Sequence, residues 1–405
     1  MSERLVKLRE KLAPLYDPLL SDFFDRPEIH ETRATCDACA MCDHGQIAPV
    51  AMDYFRPDAK CCTYHPGLPN YLVGAILADT GDELAEGRRR LRARIAERMA
   101  VTPEYVSPPR KYNVIYAAAR GTGFFGRSKV MLCPYFDEAG GGRCTVWRYR
   151  ESVCSTYFCK YSAGKPGWEV WDALKAYLAH VERSLARFAA LTVDPEVREP
   201  QYERYTLTLE DVEDLPPRDA DYASFWANGK WVGREEEFYV ACYERIKAVP
   251  RGEFAQNVDD SPEGRARLAR LEAKYDAIAQ AKVPPVLVRT TNIKKREAGE
   301  QVVVATYNPF DAFAVEKDLF EVLGTFKADE TVAENLARLE REQEIGLAPE
   351  LIEHLWLHGV LVAPEADKPS EGGKGEKAAL EQPKPLMGNR QERRAAKKTK
   401  GKTRR

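Results

Sequence analysis

The stretch TCDACAMCDH, residues 35–44, spaces three cysteines at intervals of three, Cys36, Cys39 and Cys42, with little apolar material between them. Two residues between successive cysteines let several sulfurs curl round one centre, the local geometry of ferredoxin-like cluster loops. Outward from this triplet the pattern continues as Cys61-Cys62, Cys133, Cys144, Cys154 and Cys159, so that nine of the ten cysteines fall between positions 36 and 159. Only Cys242 stands apart, and a small buried hydrophobe accounts for it. Thiolates are soft ligands, and four of them satisfy a tetrahedral zinc or an iron–sulfur cluster. Nine candidates exceed one such set. Two sites, one site with spare thiols, and one site plus a redox pair all remain open.

The 405 residues allow two or three domains, and 44% hydrophobic with 31% charged residues is the composition of a globular protein. The opening MSERLVKLREKLAPLYDPLLSDFF places an apolar residue every three or four positions, which predicts an amphipathic leading helix over 1–32 rather than a signal peptide. No run of about 18 apolar residues occurs, so the expectation is a cytoplasmic protein without membrane contact. In a reducing cytoplasm, clustered cysteines bind metal or do redox chemistry more often than they form disulfides. The net charge of -2 hides an asymmetry: residues 388–405 hold nine Lys/Arg against one Glu, hence +8, and the remainder carries -10.

The expected fold class is α+β: a cysteine-rich metal-binding domain of helices and short strands over 33–195, a mainly helical segment over 196–283, and a winged-helix-like module over 284–364. A disordered linker and basic tail over 365–405 complete the chain. Thr80 and Glu83 read as a capping box for a helix to Met99. KYNVIYAAAR and SKVMLCPYF read as strands joined by GTGFFG, and residues 167–191 as a helix with Trp171, Leu174, Leu178, Val181, Leu185 and Phe188 on one face. Ser261-Pro262 opens another helix. In the module, PPVLVRT and QVVVATY read as strands flanking a charged turn. Three helices are expected over 311–326, 331–343 and 349–358, the second capped by Thr331 and Glu334 and the third stopped by Gly359, with a closing strand after it.

The order CxxCxxC, further cysteines, then GRCTVWRYRESVCSTYFC resembles the YkgJ-type cysteine-cluster family, regarded as chelating zinc or iron. Gly142, Cys144, Arg150, Cys154, Tyr157 and Cys159 fall in register on that family's ending, with Glu151 and Ser155 where it has proline and arginine. The likeness covers roughly 33–165 and implies metal ligation by Cys36, Cys39, Cys42, Cys61, Cys62, Cys133, Cys144, Cys154 and Cys159. The close triplet and the number of thiols favour an iron–sulfur cluster of the 4Fe-4S kind over zinc. A radical-SAM motif is excluded, because it needs three residues between its first two cysteines where this chain has Asp37 and Ala38. His44 and His65 lie beside Cys42 and Cys62, and with His30 they read more plainly as loop histidines than as ligands. His180, His354 and His358 read as helix-surface positions.

Other signals carry less. GTGFFG matches a dinucleotide fingerprint, but no helix is expected after it to meet a pyrophosphate, so a glycine turn between strands is the better reading. Arg88 to Arg94 read as a solvated helix face, and the carboxylates of REEEF as surface charge. The basic tail suits salt-dependent attraction to nucleic acid or a ribosome but has no aromatic residue for base stacking. The 284–364 module resembles, more weakly, PqqD-like winged helices that capture peptide substrates, which implies strand addition at 302–306. The functional expectation is thus a metal-binding protein. Its alternatives are a cluster-bearing protein- or peptide-modifying enzyme similar to a lysine N-methylase, and a zinc-stabilised adaptor with an RNA- or ribosome-binding tail.

Overall fold

The computed structural model describes residues 7–29, 36, 39–42, 54–200 and 207–367. Helix and sheet are mixed, in keeping with α+β, and no helix among the described residues is long and apolar enough to cross a membrane. His30, His44 and the basic tail lie outside the described residues.

The chain opens with 3-10 turns at Leu8–Lys11, Pro14–Tyr16 and Asp22–Asp25 in place of a leading α-helix. Pro14 and Pro18 cannot donate to an α ladder, which breaks it at two points. The apolar spacing still works, since Leu8, Leu12, Leu15, Tyr16, Leu19, Leu20, Phe23 and Phe24 are all buried. After them come β1 (Leu68–Pro69), α1 (Asn70–Ala78), α2 (Ala85–Glu97), β2 (Tyr105–Val106), α3 (Arg110–Ala118), β3 (Phe136–Asp137), β4 (Arg143–Cys144), α4 (Ser152–Thr156) and α5 (Gly164–Val193). The chain continues through α6 (Leu209–Val212), α7 (Asp219–Phe225), α8 (Glu235–Lys247), α9 (Arg251–Phe254) and α10 (Pro262–Ala279).

One apolar core runs from Leu8 to Leu271, across the leading, cysteine-rich and helical segments alike. α1 lies at its heart, buried from Asn70 to Leu77, with α8 and α5 packed against it. The α1–α8 approach is close enough that a Cβ on Gly74 would stand 2.0 Å from the Tyr239 carbonyl oxygen. Buried Asn70 is satisfied by donating to the carbonyls of Pro103 and Ala186 at 3.0 and 2.8 Å. α5 buries Trp171, Leu174, Leu178, Val181 and Leu185 as its periodicity predicts, and α10 packs along it, opened by Ser261 accepting from the Gly264 amide. His180 differs from its expected surface position: it is buried and bonded to the Val258 carbonyl and the Ser261 hydroxyl. Glu235 is also buried, accepting from Tyr222. Cys242 is buried in this core, as a structural thiol should be.

Three local readings change. Thr80 caps nothing; a 3-10 turn at Asp82–Leu84 leads into α2. KYNVIYAAAR is helix α3, where Tyr112 and Tyr116 stack one turn apart at 5.7 Å. SKVMLCPYF is a 3-10 turn (Lys129–Met131) followed by a two-residue strand. The glycine segment therefore joins a helix to a turn, and a phosphate-facing helix is missing after it, as expected. Gly126 has φ +76 and would place a Cβ 2.1 Å from the Phe55 ring, so packing rather than nucleotide binding accounts for it.

The C-terminal module has its own core around Leu287, Val304, Phe320, Leu323, Leu339, Leu355 and Leu361. Its elements are β5 (Val288–Arg289), β6 (Lys294–Ala298), β7 (Gln301–Ala305), β8 (Phe313–Glu316), α11 (Lys317–Leu323), α12 (Val332–Gln343), α13 (Pro349–Leu357) and β9 (Leu361–Val362). β5 pairs with β9, and β6, β7 and β8 form an antiparallel sheet in that order. The capping box of Thr331 and Glu334 is present, and Gly359 has φ +69. The expected charged turn KKREA is itself an edge strand, a place that favours charge. Strand addition at 302–306 is ruled out, because β7 is paired on both sides. His354 is exposed as expected, but His358 is buried and bonded to the His354 carbonyl.

Candidate metal centre

Cys36, Cys39, Cys61, Cys62, Cys133, Cys144, Cys154 and Cys159 line one cavity of 120 Å³. Cys42 lies just behind it, buried with Met41 and Phe55 against Cys39 and Cys159. Segments up to 123 positions apart thus deliver all nine predicted thiols to one place. Every one is a free thiol.

Local structure explains the convergence. Cys39 and Cys42 share a turn closed by the Cys42 amide on the Cys39 carbonyl at 3.1 Å. The Cys61-Cys62 turn is tied to the next segment by the Cys133 amide, which donates to the Cys62 carbonyl at 2.7 Å. Cys144 sits on β4 opposite Phe136 of β3. Glu151 caps α4, accepting from the amides of Val153 and Cys154 at 2.7 and 2.9 Å, which fixes the approach of Cys154. Cys159 follows α4, and its carbonyl accepts from Asn308 at 3.2 Å.

Backbone amides also point at sulfur. The Tyr135 amide donates to Cys133 Sγ at 3.4 Å, and the amides of Cys144 and Val146 address the sulfurs of Cys36 and Cys144. Such bonds favour the thiolate and tune bound iron. Aromatic rings of Tyr64, Tyr116, Phe125, Tyr135, Trp147, Tyr157 and Phe158 make up much of the remaining wall. They keep the dielectric low.

Of the cations here, sequence reasoning singled out Arg150 through the family resemblance and passed over Lys60 and Lys160. Lys60, only 8% exposed, donates to the carbonyls of Cys36 and Gly142 at 2.7 Å each, and it has no ion pair among the described residues. Arg150 stacks on Trp147 with its guanidinium carbon 3.4 Å from the ring centroid and donates to the Cys154 carbonyl at 2.9 Å. Lys160 closes the set by donating to the Ala312 carbonyl at 2.5 Å. Among the described residues, three cations and one carboxylate, Glu151, therefore line the cavity. For the two lysines the signal in the sequence was adjacency: Lys60 precedes Cys61 and Lys160 follows Cys159.

Burial raises the thiols of Cys133, Cys154 and Cys159 above their ordinary range and pushes Cys144 up to about 11 and Cys42 up to about 12. Cys61 moves the other way, because Cys62 donates to it and Arg150 and Lys60 favour its charge. Without a metal most of these thiols are neutral, so ligation would release protons. His65 lies outside the cavity wall; burial lowers it to about 3, and its ring packs edge-on to Tyr112 and Tyr135. It sits in a loop, as expected, with its ring buried and its backbone amide donating to the Tyr112 hydroxyl at 2.8 Å.

The expected solvated arginine face is largely engaged in holding this structure. Arg90 donates to the carbonyls of Pro134 and Phe136 beside Cys133, and buried Arg94 to those of Met99 and Ser107. The module contributes as well. Its 306–312 loop puts Phe310 against Phe55 and Phe125 at 5.4 and 5.6 Å, and Asp311 accepts from the Tyr161 amide at 3.3 Å.

The donor set is chemically that of an iron–sulfur or zinc site. Its sulfurs surround a volume: among the described residues, no three thiols, carboxylates or imidazoles converge closely enough to clasp a single ion. The 120 Å³ is far more than the roughly 10–15 Å³ that one water needs. No family model, curated protein or solved structure matches the chain.

Proposed function

We propose that the protein binds an iron–sulfur cluster in the cysteine-lined cavity. The observation that carries this reading is the gathering of eight thiols from distant segments round a single space walled by aromatic rings. Three features support it further. The space exceeds the needs of one ion, backbone amides point at several sulfurs, and buried Lys60 has carbonyls but, among the described residues, no carboxylate to offset its charge. A thiolate-bound cluster is anionic and would supply that missing counter-charge, while its own chemistry would be electron transfer or Lewis acidity. Ten free thiols suit a reducing compartment, and with it the cytoplasm.

Anaerobic purification of the full chain tests this. A brown protein absorbing near ~400 nm, with iron and acid-labile sulfide in equal amounts, is the expected result. Colourless protein holding only zinc overturns it in favour of the zinc-stabilised alternative.

A second reading makes the protein a cluster-bearing modifier of peptides or proteins. What favours it is the 306–312 loop, through which a winged-helix-like module touches the last cysteine of the site. Loss of tight peptide binding on removing residues 284–364 would support this reading; no peptide binding by the full chain would sink it.

A further inference from the structure

We propose that Lys60 is a positioning residue of this centre: its ammonium ties three cysteine segments together and raises the reduction potential of the cluster they hold, which suits that cluster to accept an electron. The inference rests on the cluster reading above and deepens it.

The backbone marks Lys60 out first. Its φ is +50, in the left-handed region that a non-glycine residue seldom occupies, and its side chain is buried on the wall of the cavity. Such outliers persist where surrounding contacts hold them, and they gather at functional sites. Here the contacts are two carbonyls. One belongs to Cys36, 24 positions earlier, and the other to Gly142, 82 positions later, each 2.7 Å from Nζ. Lys60 is itself joined to Cys61, and Gly142 stands two residues before Cys144. One ammonium thus fastens the segments of Cys36, Cys61 and Cys144 to one another. The Gly142 turn is shaped to admit it: φ there is +70, and a Cβ would lie 3.2 Å from Nζ and 3.3 Å from the Pro57 carbonyl oxygen.

Charge completes the argument. Both partners of Lys60 are neutral carbonyls. Glu151, the one carboxylate on the wall among the described residues, is engaged by the amides of Val153 and Cys154 and by the Ser152 hydroxyl. One-electron reduction adds one negative charge to a cluster. A fixed ammonium inside aromatic walls stabilises that reduced state over the oxidised one and so raises the potential.

Potentials are read on anaerobic full-length protein by titration with dithionite, the electron donor, in the presence of redox mediators. Lys60→Met removes the charge and keeps the stem, whereas Lys60→Arg keeps the charge. Lys60→Met should shift the equilibrium against reduction by about tenfold, a fall of ~59 mV for a one-electron couple, and Lys60→Arg should stay near wild type. Lys60→Met should also surrender iron to a chelator about tenfold faster. A merely structural role would speed iron loss without moving the potential, and that result overturns the proposal, as does one potential common to all three proteins. An unchanged rate of iron loss overturns the tie between segments. Should Lys60→Met fail to fold, Lys60→Gln decides, because its amide can donate to a carbonyl without charge: a lowered potential supports the proposal and an unchanged one overturns it. Colourless wild-type protein overturns the cluster reading and this proposal together. A brown wild type whose potential ignores Lys60 overturns this proposal alone.

Discussion

The N-terminal lobe and the C-terminal module both bury an apolar core, but they fill their interiors differently. The module closes on itself: Phe320, Leu323, Leu339 and Leu355 share one apolar core, and the Thr331–Glu334 box caps α12. The lobe encloses its main core just as tightly around α1, α5 and α8, then leaves a thiol-lined hole at one side. A core of the first kind is stable by packing. A core of the second kind is finished by what enters the hole, so the two regions should respond differently to the same perturbation.

The largest effect expected is from metal removal. Structural thiolate sites contribute on the order of 10 kcal/mol, so an iron and zinc chelator should collapse amide protection around 54–66 and 126–160. Protection in α1, α5, α8 and the module should survive. Hydrogen exchange resolves these regions, and uniform loss across both would break the contrast. Next in size is Phe320→Ala, which empties the centre of the module at a cost of about 3–5 kcal/mol. The module should melt earlier while metal per chain stays constant. A fall in metal content would show that the 306–312 loop holds the cavity together.

A pH dependence should belong to the lobe. Burial beside Glu104 raises Glu199 to about 7, and burial also raises Glu104, Glu151 and Glu182. In the module, hydrogen bonds from Lys327 and Arg338 lower Glu330, and those from Thr331 lower Glu334. The folded chain keeps the Glu199 proton up to about 7, whereas the unfolded chain releases it near 4.5. The stability this group contributes is therefore full below pH 4.5 and falls as pH rises to 7, by roughly 3 kcal/mol. Urea titrations of Glu199→Gln and wild type should diverge by about that amount between pH 5 and pH 8. Parallel curves would remove Glu199 from the account. The smallest effect is Thr331→Ala, which deletes a module cap worth about 1 kcal/mol and should leave the lobe untouched.

How far the sequence could be read depends on how local the signal is. In α5 and α12, periodic apolar residues and a capping box are local signals, and the structure has both helices within a few residues of the expected ends. Elsewhere local signals mislead. Val114, Ile115 and Tyr116 have strand composition, yet the stacking of Tyr112 on Tyr116 requires helical spacing. Lys294 to Ala298 have turn composition, yet they pair along β7 as an exposed edge. Residues 1–32 have helical spacing, yet among the described residues 7–29 two prolines turn it into 3-10 segments that bury the same side chains.

What the sequence determined alone was the donor chemistry, because thiol identity and short spacing are properties of the chain itself. It also determined the long helices, whose hydrogen bonds close within four residues. Only the tertiary structure decided that Cys36 and Cys159 face one cavity, that Lys60 is buried beside them, and that Phe310 of the module covers their flank. Those relations join positions tens to hundreds of residues apart, and such contacts are selected by packing a whole core, which no local window of sequence contains.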